Sequence, residues 1–323
     1  MSVQNADING SPTFISTFAG CGGSSLGYKW AGFRELLAIE WDKKIANIFK
    51  LNFPDISVIV KDIKEVTSEE IFKLCNIKLG ELDLLDGSPP CQGFSTAGKR
   101  KVLDTRNDLF LEFKRLIVEL QPKVFVMENV SGVAKGIMKG KFIEIMKELK
   151  STNYNVKYKQ LNAKFYNVPQ SRERLIWIGV RKDLEKEPIF PKPTNKIITV
   201  KDAIGLNGHI CSDLRSMSIK SVNNPSYTLR ETNCFRVIKS DRRYGDKLLK
   251  SYQASPKLAK LDRIFLNKFE KITIEQAKKL CSFPEDFKLI GNYSQQWAAL
   301  GNSVMPKFME AIAKTIRGEI LCR

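Results

Sequence analysis

Short apolar runs alternate with amphipathic stretches through the first 180 residues of the chain. Strand-like stretches lie at 13–18, 35–40, 57–60, 82–85, 123–127, 155–161 and 175–180. Apolar residues at helical spacing predict a helix from the glycines at 20–23 to about Trp30, and further helices over 42–53 and 109–120. Strands that alternate with helices of this length predict an α/β fold built on a mostly parallel, doubly wound sheet.

The alternation ends near Pro188, where Pro188, Pro191 and Pro193 lie within six residues. From there to Ile290 the chain has 20 lysines and arginines against 10 acidic residues. This is a net charge of +10, whereas the whole chain carries +18. We therefore predict a smaller, basic second domain over 188–290, and a first domain made of 1–187 and 291–323. Helical spacing returns at 304–316.

The composition is that of a globular protein, with 43% hydrophobic residues among 323. It excludes disordered, collagen-like and coiled-coil classes. The excess of 53 basic over 35 acidic residues indicates a polyanionic partner, with nucleic acid first, unless a lysine-rich genome is its cause. No apolar run approaches the ~20 residues of a membrane span, and the N-terminus lacks a signal peptide's apolar stretch. We therefore expect a cytoplasmic protein with no membrane partner.

Two scarcities limit the chemistry. The chain has one histidine, His209, which argues against a metal site of the usual Cys/His kind and against a Ser-His-Asp triad. We expect a solvated loop position for this histidine. Seven scattered cysteines form no CxxC pair, so reduced thiols are expected.

Polar and glycine residues follow the first three predicted strands. The glycines of 20–23 follow the first strand, Glu40 and Trp41 the second, and Asp62 the third. Ligands bind past the carboxyl ends of such strands, where Glu40 could accept hydrogen bonds from ribose hydroxyls. Trp41 could stack on an adenine and Asp62 could accept from its amino group. The structural alternative makes the carboxylates helix caps and the tryptophan a core residue. The pattern favours an adenosine pocket, for a dinucleotide or for S-adenosylmethionine.

A candidate nucleophile follows the fourth predicted strand. Cys91 comes after Pro90 and before polar, flexible residues, unlike a cysteine buried in an apolar run. A nucleophile needs such a held, accessible position. No histidine lies nearby in the sequence, so the substrate must itself be activated. Glu128, at the end of the fifth strand, is the candidate, because a carboxylate that keeps or shares a proton can make a ring electrophilic.

Together these segments resemble the DNA (cytosine-5)-methyltransferase family over nearly the whole chain. The motifs occur in the family's order: FAGCGG at 18–23, Glu40-Trp41, Asp62-Ile63, GSPPCQGFS at 87–95, ENV at 128–130, QSRER at 170–174 and GNSV at 301–304. One departure is Ser16, where many members have aspartate.

The resemblance implies a Rossmann-like, S-adenosylmethionine-dependent methyltransferase whose second domain recognises the target sequence. It implies methyl transfer to carbon 5 of a cytosine flipped out of a specific short double-stranded DNA sequence, with S-adenosylhomocysteine as the product. Cys91 would attack carbon 6 and Glu128 would engage the ring nitrogen and amine. Arg174 and Arg172 would face the ring carbonyl oxygen and the thiolate, since alternate positions on a strand point to one face. No metal is implied.

The resemblance also implies binding residues. Those for the cofactor are Phe18, Ala19, Gly20, Cys21, Gly23, Glu40, Trp41, Asp62, Ile63, Pro90, Leu109, Asn302 and Ser303. Those for DNA are Gln92, Ser95 and Arg106 in the catalytic loop, and Thr228, Arg230 and Asn233 in the second domain.

Two alternatives stay open. One branch of the family methylates transfer RNA, but it carries a Cys-Phe-Thr segment, and Cys234-Phe235-Arg236 departs from that pattern. A catalytically silent DNA-binding regulator would have no reason to keep Cys91 and Glu128. We expect a monomer on DNA. A cognate restriction endonuclease that acts separately stays open as a partner, since enzymes with and without one share these motifs. The sequence does not give the recognition site.

Overall fold

The structure is a computed structural model, and it describes residues 10–90, 109–134, 139–212, 219–232, 235–238 and 269–321. The chain divides into two compact units. Met1–Gln160, Arg174–Pro191 and Met309–Arg323 form the first unit, and Leu161–Glu173 and Lys192–Phe308 form the second. None of the helices in the described part of the chain is long and apolar enough to cross a membrane.

A seven-stranded sheet has the order β3-β2-β1-β4-β5-β7-β6. Its strands are β1 (Thr13–Thr17), β2 (Arg34–Ile39), β3 (Ser57–Ile59), β4 (Leu84–Gly87), β5 (Val124–Val130), β6 (Tyr154–Asn162) and β7 (Glu173–Arg181). The first five strands pair in parallel, which confirms the predicted mostly parallel sheet. β7 pairs antiparallel with β5, a direction that the sequence pattern did not predict.

Helices follow most of the parallel strands. They are α1 (Gly23–Trp30), α2 (Lys43–Asn52), α3 (Ser68–Cys75), α4 (Leu109–Leu120) and α5 (Lys139–Lys150). The Asp42 side chain caps α2 by accepting from two backbone N–H groups of the first turn. α4 begins and ends as predicted because its apolar residues recur at helical spacing on one buried face. α3 and α5 were not predicted.

A hydrophobic core of the first unit joins residues of the sheet with residues of helices α3, α4 and α5. Strand residues Ile15 and Leu85 are fully buried there, as expected for strands of a covered parallel sheet. The rings of Phe113 on α4 and Phe125 on β5 pack edge to face with centroids 6.2 Å apart. This core fixes the strand ends from which the candidate site residues extend.

The second unit contains an antiparallel sheet of order β11-β10-β8-β9. Its strands are β8 (His209–Cys211), β9 (Ile219–Ser221), β10 (Arg236–Ile238) and β11 (Phe269–Lys271). The remaining helices are α6 (Val200–Ile204), α7 (Ile274–Leu280), α8 (Tyr293–Asn302) and α9 (Pro306–Ile316). His209 lies within β8 and is 3% exposed, so the expected solvated loop position is wrong.

The boundaries of the units differ from the predicted domain boundaries at 161–173 and 291–308, which belong to the second unit, and at 188–191, which belong to the first. Two backbone hydrogen bonds explain part of this difference. Ser171 N–H donates to the Ser226 carbonyl and Ser226 N–H donates to the Pro169 carbonyl, both at 2.9 Å. The chain before β7 is thus bonded into the second unit. The alternation of strands and helices along the chain could not predict these hydrogen bonds, because the residues that they join are distant in the sequence.

Candidate active site

The carboxyl ends of β3, β2 and β1 are neighbours in the sheet. Glu40 follows β2 and is 7% exposed. One of its oxygens accepts from the backbone N–H of Gly20 at 2.8 Å, and the other accepts from that of Asp42 at 2.9 Å. Burial raises the pKa of Glu40. The carboxylate fixes the glycine loop, and it keeps a lone pair that can accept from a ligand hydroxyl.

The loop after β1 needs its glycines. Phe18, Gly20 and Gly22 have φ values of +55°, +58° and +97°. A Cβ on Gly22 would lie 2.3 Å from the Phe53 ring, so a larger residue does not fit without movement. Cys21 is 1% exposed, so this predicted cofactor residue is buried within the loop.

Beside this loop, the indole of Trp41 is 74% exposed. The structural alternative of a core tryptophan is therefore wrong. Asp62 is exposed and its side chain accepts from Lys64 N–H at 3.0 Å, so it does cap the short turn after β3. Ile63 is 4% exposed and its side chain belongs to the core cluster.

Four further predicted cofactor residues occupy element ends of the first unit. Ala19 is buried in the glycine loop and Gly23 begins α1. Pro90 is half-buried in the segment after β4. Leu109 begins α4 and packs against the core cluster. The structure thus places them near strand or helix termini.

A buried carboxyl group that the sequence analysis did not assign lies at the end of β4. Asp86 is 2% exposed, and the Tyr28 hydroxyl donates to it at 3.0 Å. Burial raises its pKa to about 7. Thr17 donates its hydroxyl proton to the Asp86 carbonyl at 2.9 Å. These bonds fix the strand end from which the chain runs to Cys91. In the sequence, the signal for Asp86 was an acidic residue directly after the apolar run at 82–85.

Glu128 and Arg174 lie together in the first unit. Glu128 is on β5 and 7% exposed, and Arg174 is on β7. The Arg174 Nε lies 2.6 Å from a Glu128 carboxylate oxygen. The next residue, Asn129, donates its amide to the Pro89 carbonyl at 3.0 Å. The ion pair is therefore held beside the segment that leads to Cys91.

Arg172 has a different environment from Arg174. β7 begins at Glu173, so the expected shared strand face is wrong for Arg172. Its guanidinium is in the second unit, where Nη1 donates to the Leu229 carbonyl at 2.9 Å and to the Gly301 carbonyl at 3.1 Å. Arg172 is 3% exposed, and this nitrogen binds protein carbonyls rather than a reacting group.

Two predicted DNA contacts lie in the second unit. The Thr228 hydroxyl donates to the Ser171 carbonyl at 2.7 Å. Arg230 has an exposed side chain, while its carbonyl accepts from the Trp297 indole at 2.9 Å. Arg230 is accessible to a polyanion, whereas the hydroxyl proton of Thr228 is used within the protein.

Two predicted cofactor contacts are also in the second unit. Asn302 is exposed and its amide donates to Glu231 at 3.3 Å. Ser303 is 6% exposed and donates its hydroxyl proton to the Ala299 carbonyl at 2.7 Å. Five predicted residues lie outside the described residues: Cys91, Gln92, Ser95, Arg106 and Asn233.

Known proteins resemble this chain along nearly all of its length. The family model for C-5 cytosine-specific DNA methylase matches residues 12–318. Type II methyltransferase M1.HphI of Haemophilus parahaemolyticus is 34% identical, over 94% of this chain and 86% of its own. Type II methyltransferase M.NgoPII of Neisseria gonorrhoeae is 31% identical, over 96% of this chain and 98% of its own.

The fold also matches solved structures. A protein described as a DNA modification methyltransferase, encoded within an E. coli prophage, has a TM-score of 0.74 and 23% identity, over 97% of this chain and 100% of its own. DNMT2 of Spodoptera frugiperda has a TM-score of 0.70 and 21% identity, over 93% of this chain and 98% of its own. At identities of 23% and 21%, the solved structures support the fold alone. The family model and the two relatives match the amino-acid sequence itself. The chain belongs to the C-5 cytosine-specific DNA methylase family.

Proposed function

We propose that the protein transfers a methyl group from S-adenosylmethionine to carbon 5 of a cytosine within one short double-stranded DNA sequence, and releases S-adenosylhomocysteine. The observation that carries the proposal is the Glu128–Arg174 ion pair at the end of β5. Its neighbour Asn129 is bonded to the segment that leads to Cys91. Membership of the cytosine-specific family and the net charge of +18 support DNA as the substrate.

The strand ends of the first unit fit S-adenosylmethionine. When bound, this cofactor supplies an electrophilic methyl group on a sulfonium. Glu40 accepts backbone bonds from Gly20 and Asp42, and a lone pair of the carboxylate is left for the ribose hydroxyls. Trp41 presents an exposed indole on which an adenine can stack. Asp62 is exposed at the next strand end, where it can accept from the adenine amino group.

The residues then have distinct roles in the reaction. The Cys91 thiolate bonds to carbon 6 of the flipped-out cytosine, and the electron pair of the 5,6 double bond moves into the ring. Glu128 hydrogen-bonds the ring nitrogen and the exocyclic amine. Arg174, held by Glu128, stabilises negative charge at the ring carbonyl oxygen. After carbon 5 has gained the methyl group, its proton passes to solvent water. The electron pair of that C–H bond re-forms the 5,6 double bond, and Cys91 leaves carbon 6 as a thiolate.

We also propose that the second unit recognises the target sequence. The exposed Arg230 supports this role, because arginine can bind phosphate or the edge of a guanine. The relatives are named Type II methyltransferases, and a restriction endonuclease that acts separately is the partner we expect. We expect the protein to act on DNA as a monomer.

Bisulfite sequencing tests the proposed reaction. Unmethylated plasmid DNA is incubated with the protein and S-adenosylmethionine and then sequenced. We expect protected cytosines within one short sequence for the wild type and none for Cys91→Ala. The control is Cys75→Ala, because Cys75 lies on α3 and burial raises the pKa of its thiol to about 11, which disfavours a nucleophilic thiolate. This variant should protect the same cytosines.

The outcomes separate the alternatives. If a folded preparation that binds S-adenosylhomocysteine protects no cytosine, the proposed function is wrong. Transfer RNA is then tested with radiolabelled S-adenosylmethionine, and labelling that requires Cys91 would establish the RNA substrate. DNA binding without methylation of either nucleic acid would establish a silent regulator.

A further inference from the structure

Residues 226–230, here called the recognition root, are bonded to 169–172 within the second unit. Ser226 forms two backbone hydrogen bonds of 2.9 Å, one to Pro169 and one to Ser171. The Thr228 hydroxyl adds a bond of 2.7 Å to the Ser171 carbonyl. The root therefore has a fixed register against the chain segment that precedes β7.

Gln170 extends this attachment with its buried side chain. It is 0% exposed, and its amide oxygen accepts from Leu229 N–H at 3.1 Å. Its amide nitrogen donates to the Leu280 carbonyl at the end of α7 at 3.4 Å. One amide thus joins the root to a helix end, and it uses its acceptor and its donor to do so. A glutamate could keep the first bond but could not donate the second.

Arg172 holds the same root from the carbonyl side of Leu229. Its Nη1 donates to the Leu229 carbonyl and also to the Gly301 carbonyl at the end of α8. A planar guanidinium presents several donors in a fixed arrangement, whereas a lysine ammonium is a compact charge on a flexible stem. Lysine would therefore hold these two carbonyls less rigidly.

The end of α8 contacts the root without any intervening side chain. A Cβ on Gly301 would lie 2.6 Å from the Arg230 carbonyl carbon and 2.6 Å from the Glu231 nitrogen. The Trp297 indole, one turn earlier on α8, donates to the Arg230 carbonyl at 2.9 Å. Backbone packing and side-chain bonds together leave the root little freedom to shift.

The chain that leaves the root is exposed at Arg230, Glu231 and Thr232. We propose that Gln170 and Arg172 are positioning residues for sequence recognition, which fix the root so that these exposed residues meet DNA in one register. The inference rests on the proposed function, because it requires a specific DNA sequence as the substrate. It reassigns Arg172 from the reacting ring to the choice of target.

The test compares methylation of the cognate site with methylation of sites changed at one base pair. Arg172→Lys and Gln170→Glu are each assayed by sequencing, together with the single-turnover rate at the cognate site. One mismatched base pair normally lowers binding by a factor on the order of ten or more. We expect both variants to lose about tenfold of this discrimination, so that the ratio of cognate to changed-site methylation falls by about tenfold. Thermal melting checks that each variant is folded.

Arg317→Lys is the matched control. Arg317 belongs to the first unit, and its Nη1 donates to the Ala31 carbonyl at 2.9 Å. This variant also replaces an arginine that donates to a backbone carbonyl, but it leaves the root unchanged. Its discrimination ratio should equal that of the wild type.

Several results would overturn the inference. An equal loss of rate at cognate and changed sites would give Arg172 a catalytic role instead. Failure of both variants to fold would show that Gln170 and Arg172 serve the fold rather than target choice. If the wild type methylates no specific sequence, the proposed function fails and the inference falls with it. A specific wild type with unchanged ratios in both variants would refute the inference alone.

Discussion

Replacing Glu35 with glutamine should remove a loss of stability that the protein undergoes as the pH rises from 5 to 8. Glu35 lies on β2 and is 9% exposed. One carboxyl oxygen accepts from the Ser16 hydroxyl at 2.5 Å and from the Ser25 hydroxyl at 2.9 Å. A glutamine amide oxygen can accept the same two bonds, so the substitution removes the titration and keeps the geometry.

The direction and magnitude follow from the pKa of Glu35. Burial raises this pKa from 4.5 to about 8, although the two serine bonds act in the opposite direction. The folded protein keeps the proton up to about pH 8, whereas the unfolded chain releases it near pH 4.5. Burial of this carboxyl group therefore lowers the free energy of unfolding least below pH 4.5. The free energy of unfolding then falls as the pH rises to 8. The cost reaches about 3 kcal/mol at pH 7, at roughly 1.4 kcal/mol per pH unit.

Urea denaturation at pH 5, 6, 7 and 8, followed by circular dichroism, measures the effect. The stability of Glu35→Gln relative to the wild type should increase by about 4 kcal/mol from pH 5 to pH 8. Glu319→Gln is the control, because Glu319 is exposed in the last turn of the described chain. Its difference from the wild type should be flat. A difference for Glu35→Gln that does not change with pH would refute the reasoning.

Three further substitutions test local features. Trp41→Ala should lower the affinity for S-adenosylhomocysteine by about tenfold in calorimetry, because stacking on the indole is lost. The melting temperature should not change, because the indole is exposed. An unchanged affinity would exclude stacking. Gly22→Ala should destabilise the protein by about 2 kcal/mol in urea, because its Cβ would meet the Phe53 ring at 2.3 Å; wild-type stability would show that the ring moves freely. Glu185→Gly should stabilise the protein by about 0.5–1 kcal/mol, since this exposed residue has a φ of +52°; any loss of stability would contradict this account.

The parallel strands could be predicted from the sequence because strands covered on both faces are nearly continuous apolar runs. β5 shows this pattern over its first four residues, with Val124 and Met127 fully buried. Other features could not be predicted in the same way. The apolar run of β7 carries no information about direction, so its antiparallel pairing with β5 was missed. α3 did have a signal, since Thr67 caps it and acidic residues follow in its first turn.

The residues of the candidate site likewise divide into those that the sequence could predict and those that it could not. Glu40 and Trp41 could be located because they follow a recognisable strand, and Glu128 for the same reason. The clustering of Glu35 with Ser16 could not, since it depends on how β1 and β2 pair. Ser16 departs from the aspartate that many family members have, yet the structure places a carboxyl group against it from the neighbouring strand. A departure from a motif must therefore be judged with the residues that pack around it.

The stretch at 170–174 shows why spacing alone is not enough to assign roles. Arg172 and Arg174 have the same charge and are two residues apart, which suggested one shared function. Arg174 lies on β7 and pairs with a carboxylate of β5, so the sheet register determines its partner. Arg172 precedes the strand, and its Nη1 binds carbonyls of residues 57 and 129 positions away. Because no periodicity links such distant positions, only the folded chain could separate the two arginines.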